Sequence, residues 1–133
     1  MEFFPPPEPG DIVYCRFPEK ELPEPALKPR PALVLAVGEL EGKPHVEVAY
    51  GTSQKTDRLR SGEFLIAPAD GNAYALSGLS YPTKFDLRHR KELPYNDDWF
   101  RIPPGAPHGQ IPKLGVLHPS LMRRAKAAFD ATR

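Results

Sequence analysis

The sequence predicts a mainly β protein: a small, strongly bent antiparallel barrel of about five strands, followed by one C-terminal α-helix. Three observations lead there. Proline occurs 18 times and glycine 10 times in 133 residues, and the proline share is well above the roughly 5% of ordinary chains. Because a proline costs about 3 kcal/mol inside a helix, its recurrence every few residues excludes a helical bundle over most of the length. Between the prolines lie short β-branched and aliphatic runs of strand length, and the last fifteen or so residues are free of proline.

The elements follow in order. Residues 1–9 form a proline-rich arm with no capacity for a ladder, and residues 10–133 read as a single domain. Gly10-Asp11 opens a first strand, Ile12 to Phe17. Glu19 to Arg30 carries Pro23, Pro25 and Pro29 among charges, so it is an extended loop. The nearly continuous apolar run Ala32 to Val37 suits a central strand buried on both faces. Glu41-Gly42-Lys43-Pro44 marks a turn into a third strand, where Val46, Val48 and Tyr50 alternate with Glu47 and Ala49. Glu63 to Ala67 is a short fourth strand. A fifth begins at Thr83, where period two places Phe85, Leu87 and His89 on one face and Lys84, Asp86, Arg88 and Arg90 on the other. Residues 94–114 read as irregular, with Trp99, Phe100 and Ile102 packing onto the domain. A helix at about 119–131 starts with Pro119 in its first turn and sets Leu121, Ala125, Ala128 and Phe129 on one stripe.

Charge and cysteine usage bound the function classes. Eighteen Lys plus Arg against 17 Asp plus Glu leave a net charge of +1, so bulk charge alone points to no nucleic-acid partner. The bases are nevertheless clustered, at Arg58 and Arg60, from Lys84 to Lys91, and at Arg123, Arg124 and Lys126. The single Cys15 admits no intramolecular disulfide and sits mid-strand as a small core residue. No Cys/His spacing resembles a zinc site, so neither a metal nor another cofactor is expected. No basic or apolar leader begins the chain and no run of 18 apolar residues occurs, which favours a cytoplasmic protein without membrane association.

Four short motifs recur in a recognisable order: Gly10-Asp11-Ile12-Val13, Arg30-Pro31-Ala32-Leu33-Val34-Leu35, Thr52-Ser53-Gln54 and Pro82-Thr83-Lys84-Phe85-Asp86. The series resembles the MazF/PemK family of type II toxin–antitoxin toxins over about residues 10–93, and more loosely over the terminal helix. The resemblance implies an SH3-like barrel, a homodimer, a cognate antitoxin protein as partner, and a metal-independent endoribonuclease acting on single-stranded RNA. In that reaction the ribose 2′-hydroxyl attacks the adjacent phosphate, leaving a 2′,3′-cyclic phosphate and a 5′-hydroxyl. By the same resemblance the catalytic roles fall on Arg30, Thr52 and Ser53.

The residue types suit that chemistry independently. Internal attack needs donors aimed at the oxygens where charge accumulates, and a guanidinium offers a planar fork that stays protonated. Pro31 restricts Arg30 to extended conformations. The competing reading pairs Arg30 with the loop glutamates. Thr52 and Ser53 can donate to phosphate oxygens and Gln54 can contact a base or the backbone, although a Ser/Thr turn ending the third strand explains the hydroxyls equally well. Lys84, Asp86, Arg88 and Arg90 would follow a sugar-phosphate track, or else form an ordinary solvated strand face with an internal ion pair. Tyr50, Tyr81 and Trp99 are candidate stacking faces, or simply core. None of the four histidines, His45, His89, His108 and His118, falls in a motif, so none is expected to be catalytic; Asp86 and Glu19 remain as candidate bases. Arg30 and Thr52 are expected to reach one common anion. A gyrase-binding poison of the CcdB type, with the same barrel, and a barrel retained as an interaction module are the alternatives.

Overall fold

A computed structural model describes residues 2–18 and 24–133. Six strands appear rather than about five: β1 (Asp11–Cys15), β2 (Arg30–Leu40), β3 (Lys43–Thr52), β4 (Glu63–Ile66), β5 (Thr83–Pro94) and β6 (Lys113–Val116). They form one antiparallel sheet in the order β4-β5-β3-β2-β1-β6. No ladder joins β4 to β6 among the described residues, so the sheet is bent but open. A short helix, α1 (Asn72–Ser77), follows β4, and the terminal helix is α2 (Met122–Asp130), entered through a 3-10 turn at Pro119–Leu121. No helix is long and apolar enough to cross a membrane among the described residues.

The sheet carries a core on each face. Ile12, Leu33, Phe64, Ile66, Phe85 and Leu87 pack with Leu121 of the 3-10 turn and Ala125 and Ala128 of α2 on one side. Val13, Cys15, Ala32, Val34, Val46, Val48 and Leu93 pack with Tyr95 and Phe100 on the other. The apolar run of β2 therefore does feed both faces: Ala32, Leu33 and Val34 are buried, Leu35 and Val37 pack half-buried on the first and second core, and Ala36 is exposed. The α2 stripe behaves as its spacing predicts, with Leu121, Ala125 and Ala128 buried and Phe129 half-buried.

The β2–β3 hairpin closes through Glu41 and Gly42, whose φ values of 54° and 76° are both positive, the mark of a type I′ connection matched to strand twist. Bulges supply the bend. Leu35 is an extra residue between the pairs Val34–Val48 and Ala36–Glu47. In β5 the register jumps from Asp86 opposite Tyr50 to Arg90 opposite Ala49, so residues 87–89 have no opposite number on β3. That jump breaks period two. Phe85 and Leu87 stay with the α2-side core, whereas the His89 ring packs on Phe17 at 4.9 Å and Tyr50 at 5.1 Å, on the opposite side. The expected single apolar face of β5 is thereby corrected.

The 94–114 segment is more ordered than proline content suggests. Tyr95, Asn96 and Phe100 are buried; Arg16 N–H donates to the Trp99 carbonyl at 2.7 Å and Arg101 N–H to the Tyr14 carbonyl at 3.0 Å. Its last residues become β6, paired to β1. The N-terminal arm also makes one bridge, Phe3 to Asn96, and Phe4 lies edge-on to Tyr95 at 5.8 Å. Both departures arise because a neighbouring edge offered free backbone partners, which local composition does not encode.

α1 leaves β4 at one edge of the sheet and packs on β6 at the other. The approach is backbone to backbone: a Cβ on Gly115 would collide with the Leu76 carbonyl oxygen and with Ser77, and one on Gly78 would collide with the Leu114 carbonyl. Gly115→Ala, at a position whose φ is not left-handed, should thus lower stability by about 1–3 kcal/mol through overpacking. Urea unfolding of the variant beside the parent measures this, and an unchanged midpoint would contradict the close approach.

Candidate functional site

Where β2 begins and β3 ends, the sheet opens into a pocket of about 370 Å³, within the size range of small-ligand sites. Lys28, Arg30 and Pro31 enter it from the start of β2, and Thr52 and Ser53 from the end of β3. Tyr14 of β1, Leu79 to Tyr81 of the α1–β5 connection, Thr83, and Pro103, Pro104 and Pro107 complete the walls. Register explains the convergence: Tyr14 stands opposite Pro31, Cys15 opposite Arg30, and Ala32 opposite Tyr50, so two more residues along each strand bring Arg30 beside Thr52. The strands come together closely here because Gly51 has no side chain; a Cβ there would strike the Pro31 carbonyl and the Phe85 ring.

The lining is one-sided in charge. Among the described residues it includes the cations Lys28 and Arg30, four hydroxyls from Thr52, Ser53, Ser80 and Thr83, and two phenols, and no Asp, Glu or His. The Arg30 Nε is buried and has no hydrogen-bond partner among the described residues. An unmet buried donor costs about 1–3 kcal/mol, and more when charged, so the site favours an acceptor that enters from solvent. Arg30 forms no ion pair with Glu24 or any other described carboxylate; the other loop glutamates, Glu19 and Glu21, lie outside the described residues. Thr52 serves in two ways. Its Oγ1 accepts from the Gln54 N–H at 3.1 Å, forming the expected turn, and its own proton stays available to a ligand.

The remaining candidates lie elsewhere. Gln54 is exposed beyond the turn and is not part of the pocket lining. Lys84 is buried, its Nζ donating to the Arg58 carbonyl at 2.9 Å and pairing with Glu63 at 3.1 Å. Asp86 accepts from the Arg88 N–H at 2.9 Å and does not reach the pocket. Arg88 donates to Ser61 at 3.1 Å and to the Ala131 carbonyl beyond the end of α2 at 2.9 Å, and Arg90 sits over the Phe129 ring at 5.5 Å. These four side chains therefore form no continuous basic track: Lys84 supports the 58–63 loop, and the two arginines hold α2. The bulge at residues 87–89 turns Arg88 and Arg90 toward different partners, whereas Lys84, before the bulge, reaches Glu63 on the neighbouring β4. Glu19 lies outside the described residues.

Tyr14, Lys28 and Ser80 line the pocket without having been singled out from the sequence. Lys28 carried a usable signal, because in the extended Lys28-Pro29-Arg30 both cations share one side. Tyr14 carried none, since only strand register brings it to Pro31. Tyr50 and Trp99 pack against the second core, and Tyr81 remains at the pocket. Cys15 is fully buried and burial pushes its thiol well above the ordinary range, an inert core sulfur. Among the described residues no three His, Cys, Asp or Glu side chains gather into a metal-ligand set. A search of protein-family models and of curated proteins finds no match to the chain.

Two predictions follow from these placements. Lys84→Met leaves the buried Glu63 carboxylate unpaired and should cost about 3–5 kcal/mol of stability, read by chemical denaturation; a stable variant would return Lys84 to the list of ligand-facing cations. His89 is held below its ordinary value of 6.5, chiefly by burial, with Asp86 opposing and Lys91 reinforcing. Between the folded value and 6.5 the unfolded chain binds more protons, so stability is full above pH 6.5 and declines as pH falls through that window. Unfolding midpoints at pH 7.5 and 5.5 should differ more for the parent than for His89→Phe.

Proposed function

We propose that the chain is an endoribonuclease acting on unpaired RNA, with the Arg30–Thr52–Ser53 pocket as its active site. The observation that carries this reading is the buried Nε of Arg30, unpartnered among the described residues, in a pocket whose described lining holds two cations and no carboxylate. Such a lining attracts a phosphodiester and repels nothing on it. The order of motifs shared with MazF/PemK toxins supplies the choice of reaction among those an anion site could serve.

In this mechanism the 2′-oxygen attacks phosphorus as the bond from phosphorus to the 5′-oxygen breaks. Arg30 donates to a non-bridging oxygen, where negative charge accumulates, and the Thr52 and Ser53 hydroxyls donate beside it. Thr52 is fixed for the purpose by the Gln54 N–H it accepts. The described lining offers no imidazole or carboxylate, so the 2′-hydroxyl proton passes to solvent and the leaving 5′-oxygen takes a proton from it. Acceleration then comes from preorganised donors.

The test is incubation of the purified protein with mixed-sequence single-stranded RNA in EDTA, with the product ends mapped. Cuts bearing cyclic phosphates and 5′-hydroxyls are expected, with a loss of roughly 10²–10³-fold in rate for Arg30→Ala and little change for Arg90→Ala. A folded sample that leaves varied sequences intact would overturn the proposal.

A further inference from the structure

Tyr81 stands at the pocket with 69% of its surface exposed. The other large exposed apolar side chains, Leu27, Leu40, Leu59, Leu76 and Met122, do not line the pocket. Most aromatic rings of the fold are paired with one another: Phe64 with Phe85, Tyr95 with Phe100, Phe17 with Tyr50 and His89. The Tyr81 ring has no such partner among the described residues, and most of its surface is open to solvent.

Its backbone mount is well fixed. Gly78, in a left-handed conformation with φ 71°, ends α1 against Leu114. Leu79 is buried, and its N–H donates to the Ser77 hydroxyl at 3.3 Å. The Tyr81 carbonyl accepts from the Thr83 hydroxyl at 2.9 Å, and Pro82 confines Tyr81 to extended conformations. An aromatic ring on a fixed mount loses little freedom when a flat partner covers it. The same pocket offers Arg30 for an anion. A ligand combining a planar π system with a phosphate, one bond chain apart, satisfies both.

We infer that Tyr81 is the base-stacking platform of this site, taking the nucleobase of a nucleotide in an unpaired strand whose phosphate is held by Arg30. The inference deepens the reading of the pocket as an RNA site and goes beyond it in naming the group that binds the base. Stacking explains a preference for single strands, because a base already stacked in a duplex presents no free face. It also tolerates different bases and either sugar, since every base has a π face.

The experiment uses the full chain and fluorescein-labelled single strands of one mixed sequence, in 2′-fluoro and 2′-deoxy form. Both lack the attacking hydroxyl, so binding is read without cleavage. Tyr81→Ala should weaken binding of both strands roughly tenfold or more, while Tyr81→Phe and Tyr81→Trp stay near the parent. The loss should vanish for the same sequence annealed into a duplex, and urea unfolding should show Tyr81→Ala as stable as the parent because the ring is exposed. Unchanged single-strand affinity in Tyr81→Ala, with the affinity lost in Arg30→Ala, would overturn the inference and leave the nuclease reading standing. Tyr81-dependent strand binding by a protein that never cuts RNA would do the opposite.

Discussion

The backbone contact between α1 and β6 is the constraint on which the rest of the molecule depends. An antiparallel sheet of six short strands has two edges, and here β4 and β6 do not pair. α1 spans the distance, and it lies against β6 only because residues 78 and 115 lack side chains. That contact fixes the level of the Gly78–Pro82 connection relative to the start of β2. It thereby places Ser80 and Tyr81 in the same pocket as Arg30 and Thr52. Bulges in β2 and β5 contribute by bending the sheet so that its two edges approach at all.

The distribution of satisfied and unsatisfied cations separates support from function. Lys84 pairs with Glu63, Arg124 with Asp70, and Lys113 with Asp11, while Arg88 and Arg90 hold the terminal helix through a carbonyl and an aromatic ring. Each of these charges has its partner within the chain. Arg30 is different: it is half-buried, its Nε is out of water, and no described group accepts from it. A fold tolerates such a deficit where something else meets it. The prolines at 103, 104 and 107 form part of the wall beside that guanidinium, so the long segment after β5 belongs to the pocket as much as to the core.

Much of the architecture was legible because it is written locally. The β2–β3 hairpin follows from the apolar run before Glu41-Gly42 and the apolar alternation after it, the terminal helix from the Leu121, Ala125, Ala128 stripe behind Pro119, and the buried Cys15 from its place in an apolar strand. Arg30, Thr52 and Ser53 were singled out through the order of motifs that resembles MazF/PemK toxins, and their residue types suit an anion site. β6 was hidden: four residues, Lys113–Val116, with a glycine among them, have no pattern of their own and become a strand only by pairing with β1. α1 is equally short, and a six-residue helix draws its stability from packing more than from propensity.

The sequence by itself determined the mainly β class of fold and the order of β1 to β5 and the terminal helix, since periodicity and turn chemistry act over a few residues. Only the tertiary structure decided which cations were free to bind. A three-residue register jump between Asp86 and Arg90 turned His89 to Phe17 and Arg90 to Phe129, and pairing with β4 gave Lys84 to Glu63, dispersing what looked like one charged face. Strand register, set by contacts far apart in the chain, gathered Tyr14, Lys28 and Tyr81 around Arg30 instead. Pairing between distant segments has no local signature, so the composition of the site could be read from the chain but its membership could not.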